Sequence, residues 1–397
     1  MAQPQELAVA MVGTFDVGNV RKWSGTPFYM ARALEDRLGP VLGLGDMPRW
    51  PTNLARIRAR LLSRIDGGRR LPGQEEGVAR VYGRTVARRL AALARRPDLV
   101  FSPAGSVLLS RLETDLPVVY SSDATARVMF DYYPRFTGLT DHAREMADRL
   151  ERDTIARADL LLYPTRWAAD SAIRDYGADP ERVHVIFYGA NLSEVPPAPD
   201  PEAHPVPGPD RALKLLFVGV NWQIKGGAIA VEALEALQAQ GMRAELTIVG
   251  CAPPERIQRP GLTFIPFLDK NDPGDRARLG QLYREADFFI LPSRCECYGI
   301  VFCEAAAYGL PALSTRTGGI PEVVAEGRNG FTFPPEARGD AYAERALALW
   351  CDPAAYRALR QSSRAEFDQR LNWGSWGEQT AGVLRHFIAR RRQGRAA

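Results

Sequence analysis

No apolar run in the 397 residues approaches the roughly 20 needed to span a bilayer, and the opening MAQPQELAVAMVG has no basic leader region. A cytoplasmic chain is therefore expected. Five cysteines are too few for a disulfide framework in a chain this long. Cys295, Cys297 and Cys303 lie close together, but C-x-C-x5-C is no common zinc spacing and none of the four histidines (His142, His184, His204, His386) is near. They read as small packing residues, and no metal is expected. A G-x-G-x-x-G turn is missing, which argues against a simple dinucleotide-dependent oxidoreductase. The net charge of +4 is too small to argue for a nucleic-acid partner.

What is present belongs to a globular protein: 46% hydrophobic and 25% charged residues. The length exceeds one ordinary core, so two domains are expected. VPPAPDPEAHPVPGPD, from Val195 to Asp210, holds seven prolines and no core-forming residue. It reads as an extended joint. On both sides of it, short apolar runs alternate with helical stretches. ELAVAMVG leads to TPFYMARALEDRLG, with Thr26 placed to cap, Pro27 at the first helical position, and Gly39–Pro40 as the stop. LKLLFVGV leads through NWQIKGG to AIAVEALEALQAQG, and AELTIVG, ADFFILPS, GIVFCEAAAYGLP and PALST follow. This rhythm predicts an α/β architecture of two doubly wound parallel sheets facing a cleft, with ligands at the carboxyl ends of the strands. The expected boundaries are 1–194, a linker at 195–211, a second domain at 212–371, and a late helix with a basic tail at 372–397.

The densest stretch is SRCECYGIVFCEAAAYGLPALSTRTGGIPEVV, from Ser293 to Val324. The strand FFIL ends at Pro292–Ser293, a loop carries Glu296, and a helix is expected from about Ile300, with Glu304 one turn in. Free N–H groups at a helix start favour an anion. A carboxylate accepts two hydrogen bonds side by side, which suits neighbouring hydroxyls of a ribose or hexose.

Pro292, Ser293, Glu296, Tyr298, Gly299, Glu304, Ala305, Ala307, Gly309 and Pro311, followed by Gly318, Gly319, Pro321 and Glu322, resemble the signature of the retaining GT-B enzymes of glycosyltransferase family four (glycosyl transferases group 1). The resemblance implies two Rossmann-like domains, with the C-terminal helix returning to the N-terminal one. It implies a hexosyltransferase that moves sugar from a nucleotide-sugar donor to a hydroxyl acceptor: glycolipid, polysaccharide or small glycoside. Retention is implied, with no metal and no cofactor beyond the co-substrate. Glu296 then holds the transferred sugar beside backbone N–H groups from Cys297, Tyr298, Gly299 and Ile300. Glu304 holds the ribose, Gly318 and Gly319 line the donor site, and Lys225 meets the diphosphate. Ser24, Gly25 and Thr26 resemble the family's phosphate and acceptor loop.

Two positions depart from the pattern. Val220 stands where the family has an arginine, so the helix start with Arg294 or Arg316 is expected to take over that charge. No histidine follows a strand in the N-terminal domain where many relatives have one. Asp123 is the candidate there, for the site or for capping the next helix. A nucleotide-sugar epimerase and a non-catalytic sugar-nucleotide-binding subunit are the alternative readings.

Charge is also unevenly spread. Thirteen arginines, no lysine and three acids lie between Arg49 and Arg96. Within NLARIRARLLSRI, Leu54, Ile57, Leu61, Leu62 and Ile65 recur at helical spacing, with Arg56, Arg60 and Arg64 opposite or flanking and Arg58 near the edge. This fits peripheral contact with an anionic membrane, an ordinary helix packed on a sheet, or docking of an acidic polysaccharide.

Overall fold

The computed structural model describes residues 6–200, 211–255 and 257–396. Contacts divide the chain into two compact units, Met1–Phe187 with Trp373–Ala397, and Tyr188–Asn372. Each unit is an α/β domain built on a six-stranded parallel sheet.

In the first unit the strands are β1 (Val9–Val12), β2 (Val41–Leu44), β3 (Leu99–Pro103), β4 (Val118–Ser121), β5 (Leu160–Tyr163) and β6 (Val183–Val185), in the order β2-β1-β3-β4-β5-β6. In the second they are β7 (Leu213–Val218), β8 (Ala244–Val249), β9 (Leu262–Ile265), β10 (Phe288–Leu291), β11 (Ala312–Thr315) and β12 (Gly330–Phe333), in the order β12-β11-β10-β7-β8-β9. β1, β3, β4, β5, β10 and β11 are buried along their whole length. Helices on both faces of a parallel sheet require such continuous apolar strands. In both sheets the order reverses beside the first strand, between β1 and β3 and between β7 and β10, the position at which open parallel sheets bind their ligands.

The first helix differs from its expected start. Thr26 is its first residue and Gly25 its N-cap, because Trp23, Ser24 and Gly25 all adopt left-handed backbone (φ 46°, 54° and 91°). The chain thus winds into the helix through glycine, leaving Thr26 already helical.

The division at Phe187 and Tyr188 precedes the proline-rich stretch at 195–211, of which 201–210 lie outside the described residues. The Pro196 carbonyl, inside the second unit, accepts a hydrogen bond from Arg364 Nη1 at 2.9 Å. The last helix, Trp373–Ala396, packs on the first helix, Thr26–Leu38. Gly377 permits the approach, since a Cβ there would lie 3.0 Å from the Ala33 carbonyl. Trp376 is fully buried edge-on to Phe101 of β3, and Arg391 and Arg392 bond Asp159 and Asp98.

The helix Trp50–Asp66 turns Pro51 and Ala59 inward, and Thr52 Oγ1 lies 2.7 Å from Tyr82 OH. Its outer face carries Trp50, Leu54, Ile57, Leu61 and Ile65, all more than half exposed. Leu62 is half-buried. The stripe therefore does not pack on a sheet: at this spacing it points away from the buried Ala59.

Candidate functional site

The second unit gathers the motif at the switch point of its sheet. The loop after β7 is tightly wound, with Asn221 Oδ1 accepting from Ile224 N at 2.8 Å and Arg294 N donating to the Ile224 carbonyl at 2.7 Å. Gly226 has φ 72°, and a Cβ there would fall 2.0 Å from the Pro292 carbonyl. Only glycine lets this loop rest on the end of β10. Lys225 is thereby carried to Glu296 on the β10 loop, and the two form an ion pair with only 15% and 13% of their side chains exposed.

The helix Ile300–Ala307 begins after Gly299, whose φ of 90° again suits glycine, and no side chain caps it. Its first N–H groups are left to other acceptors and favour negative charge. Gly319 N, after β11, donates to the Glu296 carbonyl at 3.3 Å. Three adjacent strand ends, β7, β10 and β11, thus supply Lys225, Glu296 and Gly318–Gly319.

Glu304 is fully buried and ion-paired with Lys270, on the loop after β9, with Tyr283 OH 3.4 Å from its other oxygen. Burial and the neighbouring carboxylate push the Tyr283 phenol well above its ordinary range, so it is a donor at any working pH. Sequence reasoning missed Lys270. Its signal was composition: Lys22, Lys214, Lys225 and Lys270 are the chain's four lysines, and two of them meet the two motif glutamates.

The expected substitutes for Val220 are both exposed, and each also reaches a backbone carbonyl. Arg294 donates to the Pro335 carbonyl at 2.7 Å, and Arg316 donates to the Thr332 carbonyl at 3.3 Å. Val220 itself is exposed. Behind the site, Tyr298 donates to the Tyr188 carbonyl at 2.6 Å. Burial pushes the Cys303 thiol up to about 12, so it packs as an inert group. No cluster of three or more potential metal ligands occurs among the described residues.

The remaining candidates belong to the first unit. Ser24, Gly25 and Thr26 close the loop that leaves β1, and Asp123 follows β4, on the same carboxyl edge of that sheet. The next helix, Ala126–Met129, has Thr125 as its N-cap, two residues past Asp123. The left-handed pair Trp23–Ser24 costs roughly 1–2 kcal/mol per residue, a strain typical of functional loops.

Two family models match the chain: Glycosyltransferase Family 4 over residues 28–194 and Glycosyl transferases group 1 over 212–352. Among curated proteins, a D-inositol 3-phosphate glycosyltransferase of Streptomyces bingchenggensis is 31% identical over 247 residues, covering 59% of this chain and 54% of its own. A second, D-inositol 3-phosphate glycosyltransferase 1 from Catenulispora acidiphila, is 34% identical over 224 residues, 53% of each chain. The chain spans about half the length of such relatives. Among solved structures, sucrose-phosphate synthase from Thermosynechococcus elongatus aligns with TM-score 0.66 at 18% identity, covering 97% of this chain and 100% of the other. Anabaena Alr3699/HepE in complex with UDP-glucose aligns with TM-score 0.60 at 16% identity, covering 96% and 99%.

Proposed function

As a chain whose two halves match the family-four and group 1 glycosyltransferase models, the protein belongs to that family, and we propose that it transfers a hexosyl group from a nucleotide sugar to a hydroxyl acceptor with retention. The observation that carries this reading is the pairing of both motif glutamates with lysines around the β7–β10 switch point. Glu296, beside the uncapped helix start, accepts hydroxyls of the transferred sugar. Glu304 accepts the ribose hydroxyls. Lys225 and the backbone N–H groups from Cys297 to Ile300 neutralise the departing diphosphate, and preorganised donors of this kind act where charge develops. The departing phosphate takes the acceptor proton, so no metal and no protein base is required. On the first unit, Ser24, Gly25, Thr26 and Asp123 stand at the carboxyl edge of their own sheet, where sheets of this kind bind ligands.

The curated relatives are named for D-inositol 3-phosphate, and one solved relative holds UDP-glucose. We extend to this chain a hydroxylated acceptor and a nucleoside diphosphate hexose. Peripheral docking on an anionic membrane belongs to the same reading. The helix Trp50–Asp66 exposes five large apolar residues, with Arg56, Arg60 and Arg64 bordering one side and Arg58 the other. That composition seats a helix at a lipid interface. No described helix is long and apolar enough to cross a membrane.

A thermal-shift screen of UDP-, GDP- and ADP-hexoses, followed by NMR of the product with the stabilising donor, tests the activity. One donor is expected to raise the melting temperature and be consumed. If no nucleotide sugar stabilises or turns over, the reading fails.

A further inference from the structure

Lysine is rare in this chain, four among 51 lysines and arginines, yet one of the four is placed on the buried Glu304. We propose that Lys270 is a donor-binding residue whose ammonium contacts the nucleotide diphosphate next to the ribose, supplying the second cation that Val220 does not. The inference rests on the glycosyltransferase reading and deepens it.

Two observations support it. Glu304 has no exposed surface, whereas about a third of the Lys270 side chain is exposed (32%), so an incoming ligand meets the ammonium side of the pair first. An ammonium has three N–H donors. One suffices for Glu304, which leaves donors for a phosphate oxygen joined through the 5′-carbon to a ribose on that carboxylate. Second, the loop is fixed before any ligand arrives. The Asp269 carboxylate accepts from Asn271 N at 2.9 Å and Asn271 Nδ2 at 2.7 Å, and Asp272 caps the helix Pro273–Glu285.

A purely structural Lys270 would do no more than neutralise Glu304, and K270M alone would strand that carboxylate. The test therefore compares E304Q with K270M/E304Q, neither of which leaves Glu304 as an unpaired buried acid. Calorimetric titration of the full chain uses UDP, GDP and ADP, each beside its nucleoside. Wild type is expected to bind one diphosphate more tightly than its nucleoside. K270M/E304Q should then lose about ten- to hundredfold in affinity for that diphosphate relative to E304Q, the worth of one charge-assisted contact. Nucleoside affinities of the two variants should agree. Equal diphosphate affinities in E304Q and K270M/E304Q would overturn the inference alone, leaving Lys270 as a neutralising residue. If wild type binds none of the three diphosphates, the glycosyltransferase reading falls and this inference falls with it.

Discussion

Lys225 and Glu296 sit at the ends of neighbouring strands, and each is the other's charge partner in a largely buried setting. Removing one member of such a pair leaves the other without compensation, at roughly 3–5 kcal/mol for a fully buried pair. Lys225→Ala and Glu304→Ala are each expected to weaken donor binding, while Glu296→Ala mainly slows transfer. Losses of about 2–4 kcal/mol correspond to roughly 30–1000-fold in steady-state kinetics. Wild-type turnover in all three would move the site elsewhere. A second residue-scale expectation concerns Glu151, fully buried in the first unit, where Tyr120 OH lies 3.0 Å from Oε1. Burial raises its carboxyl from 4.5 to about 7, partly offset by the hydrogen bonds from Tyr120 and Ser106, with Asp148 pushing it further up. A raised folded-state value means that the site's stability is fully present below about pH 4.5 and is lost as pH climbs through 7. The total is on the order of 3 kcal/mol. Glu151→Gln cannot ionise, so its melting temperature should gain on wild type between pH 5 and pH 8; a gap that stays constant across that range would show that Glu151 does not titrate there. Glu296, Glu304 and Lys225 were legible because each lies in an ordered local motif. Lys270 was not, because it meets Glu304 across 34 residues and no local motif surrounds it.

At the scale of elements, the strand–helix rhythm read directly from apolar runs and glycine stops, since parallel strands buried on both faces leave that mark. What stayed hidden was the destination of an amphipathic face. The stripe of the helix Trp50–Asp66 has the same periodicity whether it meets a sheet or faces outward, and only tertiary contacts decide. The start of the helix Thr26–Leu38 was likewise misplaced by one residue, because three successive left-handed residues have no reliable local signature. Docking predicts that the protein floats with anionic vesicles at low salt and releases at high salt, because exposed charges are screened within about 10 Å at 0.1 M. Replacing Arg56, Arg60 and Arg64 with glutamine should abolish flotation, at about 1 kcal/mol per arginine. A protein that ignores anionic vesicles at low salt would instead point to a water-soluble acceptor.

For the whole molecule, the reaction outcome is the measurable quantity. Retention predicts that the product keeps the donor's anomeric configuration, read from proton coupling constants by NMR, and an inverted product would reject that part of the proposal. Stability should depend on the last helix. Trp376→Ala empties a fully buried site against Phe101 and is expected to cost about 3–5 kcal/mol in the first unit. Two-step denaturation should show the transition of that unit moving while the other stays. A single transition that does not shift would contradict the packing described.

Because the first unit owns both Met1–Phe187 and Trp373–Ala397, the second is in effect inserted within it. The order of synthesis then differs from the order of completion. A ribosome adding 5–20 residues per second spends roughly ten to forty seconds on the intervening segment. Throughout that time β3 lacks the tryptophan that covers Phe101, and the apolar face of the first helix lacks its partner. The inserted unit has its whole sheet and can fold as soon as it emerges. The part begun first is therefore finished last, and its half-built surface is the one a chaperone or protease meets during translation.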